Sequence, residues 1–187
     1  MEKIIDAVPT EDIIKELTED RFVRKTNFGH NEIYIVNAHN APNTMREIGR
    51  LREWAFRESG GGTGKSIDID EFDTRDEAYF EQLIVWDPKE KEILGGYRFI
   101  NCDKLKKKNN GQVDTPTSEL FYYSDEFIDN YLPYTIELGR SFIQPKYQST
   151  GNVRKSIFTL DNLWDGLGAL LTNTPSAKYF FGKVTMY

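Results

Sequence analysis

Residues 133–151 say most about the function of this chain, and they read Pro-Tyr-Thr-Ile-Glu-Leu-Gly-Arg-Ser-Phe-Ile-Gln-Pro-Lys-Tyr-Gln-Ser-Thr-Gly. It predicts a short apolar strand that carries one carboxylate, Glu137, and one guanidinium, Arg140. The strand should end at Pro145, which has no backbone N–H to donate to a neighbouring strand. A turn that contains Gly151 then leads into a long helical segment. Backbone N–H groups left free at such a junction can hold a thioester carbonyl or a pyrophosphate.

Glu137 and Arg140 are the first candidates for chemistry on this strand. Residues three apart on a strand point to opposite faces, unless a β-bulge inserts an extra residue between them. Glu137 could take a proton from an acceptor amine, because an amine must be neutral before it attacks a thioester. The structural alternative is a strand carboxylate that a neighbouring arginine neutralises.

Outward from this stretch, the hydrophobic pattern predicts further strands and helices. Strands are expected at residues 31–37, 79–86, 93–100, 134–143 and 179–187. Helices are expected at residues 10–17, 44–58, 124–130 and 153–171. The order favours an α/β fold of the α+β type, in which helices flank a mixed sheet. We expect one domain over residues 31–187, after an N-terminal helical extension over residues 1–30.

Composition narrows the classes of function. The 187 residues carry a net charge of −6, which disfavours general binding to nucleic acid. No apolar run approaches the roughly 20 residues that span a bilayer, and a single cysteine, Cys102, suits a reducing compartment. The lack of a spanning run and the single cysteine lead us to expect a cytoplasmic protein. His30 and His39 have no ligand-like spacing to Cys102, so we expect no metal site.

Four short motifs resemble those of the GNAT acyltransferases, in the same order and at similar spacing. The matching residues are Arg52 and Phe56, Asp70 and Asp73, Arg98, and Glu137 with Arg140. The sequence is most similar to the hemolysin-like branch, which holds the ornithine- and glycine-lipid N-acyltransferases and is related to the acyl-homoserine-lactone synthases. The resemblance covers roughly residues 31–187 and implies a GNAT-like mixed, mostly antiparallel sheet flanked by helices.

The resemblance also assigns roles to residues. It implies Glu137 and Arg140 as catalytic residues. It places substrate-binding residues on the acceptor side, at Arg52, Phe56, Asp70, Asp73 and Arg98. It implies donor-binding residues at Phe142, Ile143, Gln148 and Gly151. The structural alternative for the charged residues is ordinary surface charge, although buried charges would have to be paired.

The turn after the strand departs from the usual GNAT pattern for pyrophosphate. Val153 occupies a position where the family has Gly or Ala, and a β-branched residue hinders close approach of the backbone to phosphate. We therefore expect no bound cofactor, and the acyl-phosphopantetheine of acyl carrier protein as donor, with acyl-coenzyme A as the alternative. The lysines at 104 and 106–108 could dock an acidic carrier protein, or simply form a solvated loop.

Residues 59–66, Ser-Gly-Gly-Gly-Thr-Gly-Lys-Ser, partly match a nucleotide-binding P-loop. Ser59 stands where that motif needs its first glycine, and the predicted order of elements is also wrong. A lid over the acyl site is the better hypothesis for this loop.

Taken together, these features predict an N-acyltransferase that moves a long (3-hydroxy)acyl chain to the amine of a small amino acid in aminolipid synthesis. The alternatives are an acyl-homoserine-lactone synthase-like enzyme, or a non-catalytic fragment that binds carrier protein or another partner. Peripheral contact with the inner face of a membrane is expected to accompany a lipid product. Because an apolar last strand would leave a sheet edge exposed, we also expect an incomplete C-terminus or a homo-oligomer.

Overall fold

The computed structural model describes residues 1–148 and 153–183, with side chains except those of residues 153–157. The strands are β1 Phe22–Lys25, β2 Glu32–Val36, β3 Glu81–Asp87, β4 Glu92–Asn101, β5 Thr135–Ile143 and β6 Tyr179–Gly182. The helices are α1 Thr10–Glu16, α2 Pro42–Glu58, α3 Glu71–Thr74, α4 Asp125–Asn130 and α5 Val153–Asn173. No helix within these described residues is long and apolar enough to cross a membrane.

All six strands form one sheet in the order β1-β2-β3-β4-β5-β6. Neighbours from β1 to β5 are antiparallel, and β6 lies parallel to β5. The parallel connection runs through α5, as parallel strands require a crossover segment. This confirms the predicted mixed, mostly antiparallel sheet with flanking helices.

The helices cover the two faces of the sheet, as the side chains of β3 show. Ile84 lies in one apolar cluster with Ile48 of α2, whereas its neighbour Leu83 lies in another with Leu167 of α5. Successive side chains of a strand point to opposite faces, so α2 and α5 pack on opposite sides of the sheet. Each helix forms because its apolar residues recur at helical spacing and are buried together.

Residues 1–30 are more than a helical extension. Helix α1 forms as predicted, but β1 pairs with β2 and belongs to the sheet. Glu16 of α1 also accepts hydrogen bonds from the backbone N–H groups of Asn43 and Thr44, at 3.0 and 2.7 Å, and so caps α2. The pattern did not predict β1, because this edge strand has four residues and two of them are exposed.

Helical spacing predicts that Leu160, Leu163, Trp164, Leu167 and Leu171 share the buried face of α5, and the structure differs from this in part. Leu163 and Leu167 are buried as expected, but the indole of Trp164 is 70% exposed. The predicted stripe was wider than the surface that the sheet covers, and Trp164 falls on the solvent side of it.

A β-bulge lies in β5 beside Arg140. Gly96 of β4 pairs with Phe142, and Arg98 pairs with Gly139, so β5 contains one residue more than β4 between these pairs. Arg140 has φ of 49°, a left-handed conformation that is uncommon for a residue with a side chain. The bulge resets the pleat and allows Glu137 and Arg140 to face the same cavity.

Close packing around the bulge predicts an effect on stability. A Cβ atom added at Gly95 would lie 2.6 Å from the carbonyl oxygen of Phe142, a backbone atom that cannot move alone. We expect Gly95→Ala to lower the free energy of unfolding by about 1–3 kcal/mol, the usual cost of overpacking. Gly168→Ala is the matched control, because no atom lies within 4 Å of its added Cβ. Because glycine is unfavourable inside a helix, this control in α5 should raise the free energy of unfolding by about 0.5–1 kcal/mol. Denaturant unfolding of both variants tests the pair, and equal stabilities would contradict the packing.

Candidate active site

A cavity of about 1170 Å³ lies on the α2 side of the sheet, over β5 and β6. The predicted site residues that line it are Phe56, Asp70, Arg98, Glu137 and Arg140. Aromatic side chains form much of the remaining wall, at Phe72, Phe80, Phe121, Tyr123, Phe127 and Phe181. One end of the cavity is therefore charged, and its walls are largely apolar.

Glu137 lies on the β5 wall of this cavity and is only 3% exposed. Its Oε1 accepts a hydrogen bond of 2.7 Å from the hydroxyl of Thr117, which is itself buried. Its Oε2 is buried and has no hydrogen-bond partner among the described residues. A buried carboxylate oxygen without a partner is costly, and it is suited to receive a proton or a donor from a ligand.

Behind the cavity, Asp73 is the centre of a buried network. Its carboxylate accepts from the Arg52 guanidinium at 3.1 Å, from the Gln82 amide at 2.9 Å and from Arg98 at 3.4 Å. Arg52 and Asp73 are both fully buried, and neither lines the cavity. These two predicted substrate-binding residues therefore lie beneath the cavity wall and support it.

Helix α3 is joined to this network by its N-terminus. The Asp70 carboxylate accepts from the backbone N–H of Phe72, and the Asp73 carboxylate accepts from the backbone N–H of Asp70. This capping box satisfies two backbone donors of a four-residue helix. The other Asp70 oxygen accepts from Arg98 at 2.7 Å, and so ties α3 to strand β4.

Arg140 projects from the bulge towards the same charges. Its guanidinium lies 3.2 Å from Asp68 and 3.8 Å from Asp70, and it sits 5.9 Å from the ring centre of Phe56. About a third of the side chain is exposed. Arg140 is thus held by acidic partners and still reaches the cavity.

The protein environment shifts the pKa values of Asp68 and Asp70 in opposite directions. Burial raises the pKa of Asp68 in spite of the nearby guanidinium groups. Burial also disfavours the charge of Asp70, but the opposing effect of Arg98 and Arg140 is greater and lowers the pKa of Asp70. Burial raises the pKa of Tyr123 to about 12, so this phenol in the cavity wall stays protonated near neutral pH.

The predicted donor-binding residues Phe142, Ile143 and Gln148 line a second cavity of about 250 Å³. This cavity lies further along β5, and it shares Phe56 with the larger one. The fourth predicted residue, Gly151, lies outside the described residues. The two cavities adjoin along the same strand, and Ser59 and Ser141 line both of them.

The sequence prediction missed the aromatic wall of the cavity, and among the polar residues of the site it missed Asp68, Thr117 and Lys183. Thr117 and Lys183 come from segments without a strong pattern, since one ends a polar loop and the other follows a short edge strand. The loop that contains Thr117 did carry one signal of a binding site. Its run from Leu120 to Tyr123 has four successive large hydrophobic residues, which are unusual in a surface loop.

Residues 59–66 do not form a P-loop. Helix α2 precedes them, whereas the P-loop requires a strand before the loop and a helix after it. The carboxylate of Glu53 instead anchors the loop by accepting from the N–H groups of Thr63 and Gly64, each at 2.9 Å. Ser59 and Gly61 do line the large cavity, so the loop forms part of its wall.

The basic loop is balanced by acidic neighbours. Each of its lysines lies within ion-pair distance of a carboxylate on this chain: Lys104 with Glu81, Lys106 with Glu77, Lys107 with Asp129 and Lys108 with Asp114. These exposed pairs are weak and can exchange partners. Among the described residues, no group of three His, Cys, Asp or Glu side chains is placed to hold a metal ion.

The family follows from a match over the centre of the chain. The model of the acetyltransferase (GNAT) domain matches residues 51–156, which include most of the cavity wall and the charged network. The chain belongs to the GNAT acetyltransferase family. The prediction of a GNAT-like fold is confirmed at this level.

Two curated proteins are similar to this GNAT domain along its whole length. A protein of Bacteroides thetaiotaomicron named glycine N(alpha)-acyltransferase is 58% identical over 187 residues, which are 100% of this chain and 55% of that protein. A protein of Phocaeicola vulgatus with the same name is 52% identical over 187 residues, or 57% of its length. The chain spans about half the length of the curated relatives it matches.

Among solved structures, an aminoglycoside acetyltransferase, HMB0005, from an uncultured soil metagenomic sample is similar with a TM-score of 0.43 and 12% identity. The similarity covers 84% of this chain and 81% of that one.

The network beneath the GNAT cavity predicts a large effect of one substitution. Asp73→Asn leaves the fully buried Arg52 without its carboxylate, and breaking a buried ion pair costs about 3–5 kcal/mol. Asp129→Asn is the control, since its pair with Lys107 is exposed and such pairs contribute about 0–1 kcal/mol. Unfolding by urea measures both, and a small effect of Asp73→Asn would show that the network is not essential to the fold.

Proposed function

We propose that this GNAT domain transfers a long acyl chain from a phosphopantetheine thioester to the amine of glycine. The reaction would begin the synthesis of an aminolipid. Similarity to two proteins named glycine N(alpha)-acyltransferase supports glycine as the acceptor. The observation that carries the proposal is Glu137, a buried carboxylate with one oxygen fixed by Thr117 and the other free at the cavity wall.

The proposed chemistry needs a base that deprotonates the acceptor ammonium group and a binding site for the thioester. Glu137 accepts a proton from the ammonium group of the acceptor, directly or through a water molecule, and so produces the neutral amine. The amine nitrogen attacks the thioester carbonyl carbon, and the tetrahedral intermediate collapses with loss of the thiolate. The amine proton that remains in excess leaves the nitrogen, and the thiolate is protonated. The products are an amide and a free thiol.

The apolar part of the cavity supports a long acyl donor. Five phenylalanine side chains line it in addition to Phe56: Phe72, Phe80, Phe121, Phe127 and Phe181. Each methylene group buried against such a surface contributes about 0.8 kcal/mol, so a long chain gains binding energy that an acetyl group lacks. The volume of about 1170 Å³ exceeds what an acetyl group alone would need.

Acyl carrier protein is the proposed source of the thioester. The sequence of the turn supports it, because Val153 replaces the small residue of the usual pyrophosphate turn. The basic loop gives weaker support, since each of its lysines already has an acidic neighbour. Acyl-coenzyme A remains the competing donor.

A membrane surface is the proposed destination of the product. Leu120 and Tyr122 are 67% and 89% exposed, and they flank Phe121 of the cavity wall. Apolar and aromatic side chains of this kind suit the interface between lipid and water. Tyr179 and Phe180 of the edge strand β6 are also exposed, and we propose that two chains associate through them. Val184 and Tyr187, two further apolar residues of the predicted strand 179–187, lie outside the described residues.

Replacement of the proposed base tests the central step. Glu137→Gln keeps the shape of the side chain but accepts a proton poorly, so we expect the rate of acyl transfer to glycine to fall by about 10²-fold or more. Glu126→Gln, on the exposed face of α4, is the matched control and should retain the wild-type rate.

The assay is mass spectrometry of N-acylglycine formed from acyl carrier protein thioesters. Wild-type turnover of the Glu137→Gln variant would reject the assigned base. Formation of a lactone instead of an acylglycine would favour the homoserine-lactone alternative. A wild-type protein that binds the thioester without turnover would favour the non-catalytic alternative.

The donor is tested by charge reversal in the basic loop. Lys106→Glu with Lys107→Glu should raise the KM for acyl carrier protein thioester much more than the KM for acyl-coenzyme A, because a carrier protein presents an extended acidic surface, whereas coenzyme A carries negative charge only on its phosphate groups. Added salt should reduce the difference, since exposed charges are screened beyond roughly 10 Å at 0.1 M. Equal use of both donors, insensitive to salt, would contradict the proposal for carrier protein.

A further inference from the structure

Lys183 lies at the edge of the cavity, directly after strand β6. Its ammonium group donates a hydrogen bond of 2.8 Å to the carbonyl oxygen of Pro116. The next residue in that segment, Thr117, donates to Glu137. Two successive residues of one segment therefore hold the free carboxylate and a lysine ammonium group in the same cavity.

The other cations of the cavity wall already have acidic partners. Arg98 pairs with Asp70, and Arg140 pairs with Asp68. Within residues 1–148 and 153–183, by contrast, no carboxylate forms an ion pair with Lys183. No acidic side chain of the described residues thus lies within ion-pair distance of this lysine, although the carboxylates of Glu137 and Glu119 act on it from further away.

The surroundings of Lys183 favour an anion from outside the protein. Partial burial lowers the pKa of Lys183, and the guanidinium groups of Arg98 and Arg140 act in the same direction, against the carboxylates of Glu137 and Glu119. A ligand carboxylate placed between Lys183 and Arg140 would relieve that repulsion and make charge-assisted hydrogen bonds.

We propose that Lys183, together with the exposed edge of Arg140, binds the carboxylate of the acceptor amino acid and so directs its amine to Glu137. This inference rests on the proposed function and specifies its substrate class. One carbon atom separates the ammonium and carboxylate groups of an α-amino acid, so an acceptor held at its carboxylate presents its amine within a narrow region. An acceptor amine that lacks a carboxylate makes no ion pair with Lys183, and nothing then holds its nitrogen close to Glu137.

Glycine and glycinamide as paired acceptors test this role. Both carry a primary amine on one methylene carbon, but only glycine carries a carboxylate. The wild-type protein should prefer glycine. Lys183→Gln should raise the KM for glycine about tenfold or more, the scale of a lost charge-assisted hydrogen bond, and should raise the KM for glycinamide much less. Lys183→Arg keeps the charge and should retain most of the preference for glycine.

Thr117→Val is the matched control for a change at the base. It removes the hydroxyl group that positions Glu137, so it should lower kcat for glycine and glycinamide by the same factor. Thermal unfolding of each variant separates loss of fold from loss of binding. The inference is overturned if the folded Lys183→Gln variant keeps the wild-type ratio of the KM for glycine to the KM for glycinamide.

The proposed function can fail independently of Lys183. A folded wild-type protein that acylates neither acceptor contradicts the acyl-transfer proposal itself. Equal use of glycine and glycinamide by the wild type supports acyl transfer but overturns carboxylate recognition.

Discussion

The carboxylate of Asp73 is the group on which the site depends. It is fully buried, and it receives Arg52 from α2, Gln82 from β3, Arg98 from β4 and the backbone N–H of Asp70 at the start of α3. An unpaired charge at this depth would be very costly, so the folded protein needs all four donors in place around Asp73. Assembly of the network therefore fixes two helices and two strands relative to one another beneath the cavity.

The bulge in β5 is the second constraint, and it acts on the cavity side. Without the extra residue, Glu137 and Arg140 would point to opposite faces of the sheet. The left-handed conformation of Arg140 is unfavourable for a residue with a side chain, and its contacts with Asp68, Asp70 and Phe56 offset that cost. Local strain in the backbone is thus linked to the position of the charged groups.

The sequence predicted those parts of the molecule in which burial or a family motif restricts the choice of residue. The central strands and α2 followed from periodicity, and the family motifs brought Arg98, Glu137 and Arg140 to one cavity. Strand β1 was missed, because a short, half-exposed edge strand has little apolar pattern. Thr117 and Lys183 were missed for a different reason. Their proximity to Glu137 or to the cavity is set by the path of the chain, and local sequence does not encode that path.

The distribution of charge connects the network to the proposed acceptor. Three arginines and three aspartates, at 52, 98 and 140 and at 68, 70 and 73, neutralise one another in pairs. The buried Arg52 and Arg98 therefore mainly shape the cavity, whereas about a third of the Arg140 side chain is exposed and can still reach a ligand. Among the described residues, Oε2 of Glu137 has no hydrogen-bond partner and the ammonium group of Lys183 has no ion-pair partner, and with the exposed edge of Arg140 these are the groups that we propose bind the acceptor. A carboxylate and an ammonium group held by one segment complement the two opposite charges of a small zwitterion. A singly charged amine would satisfy only the first of them.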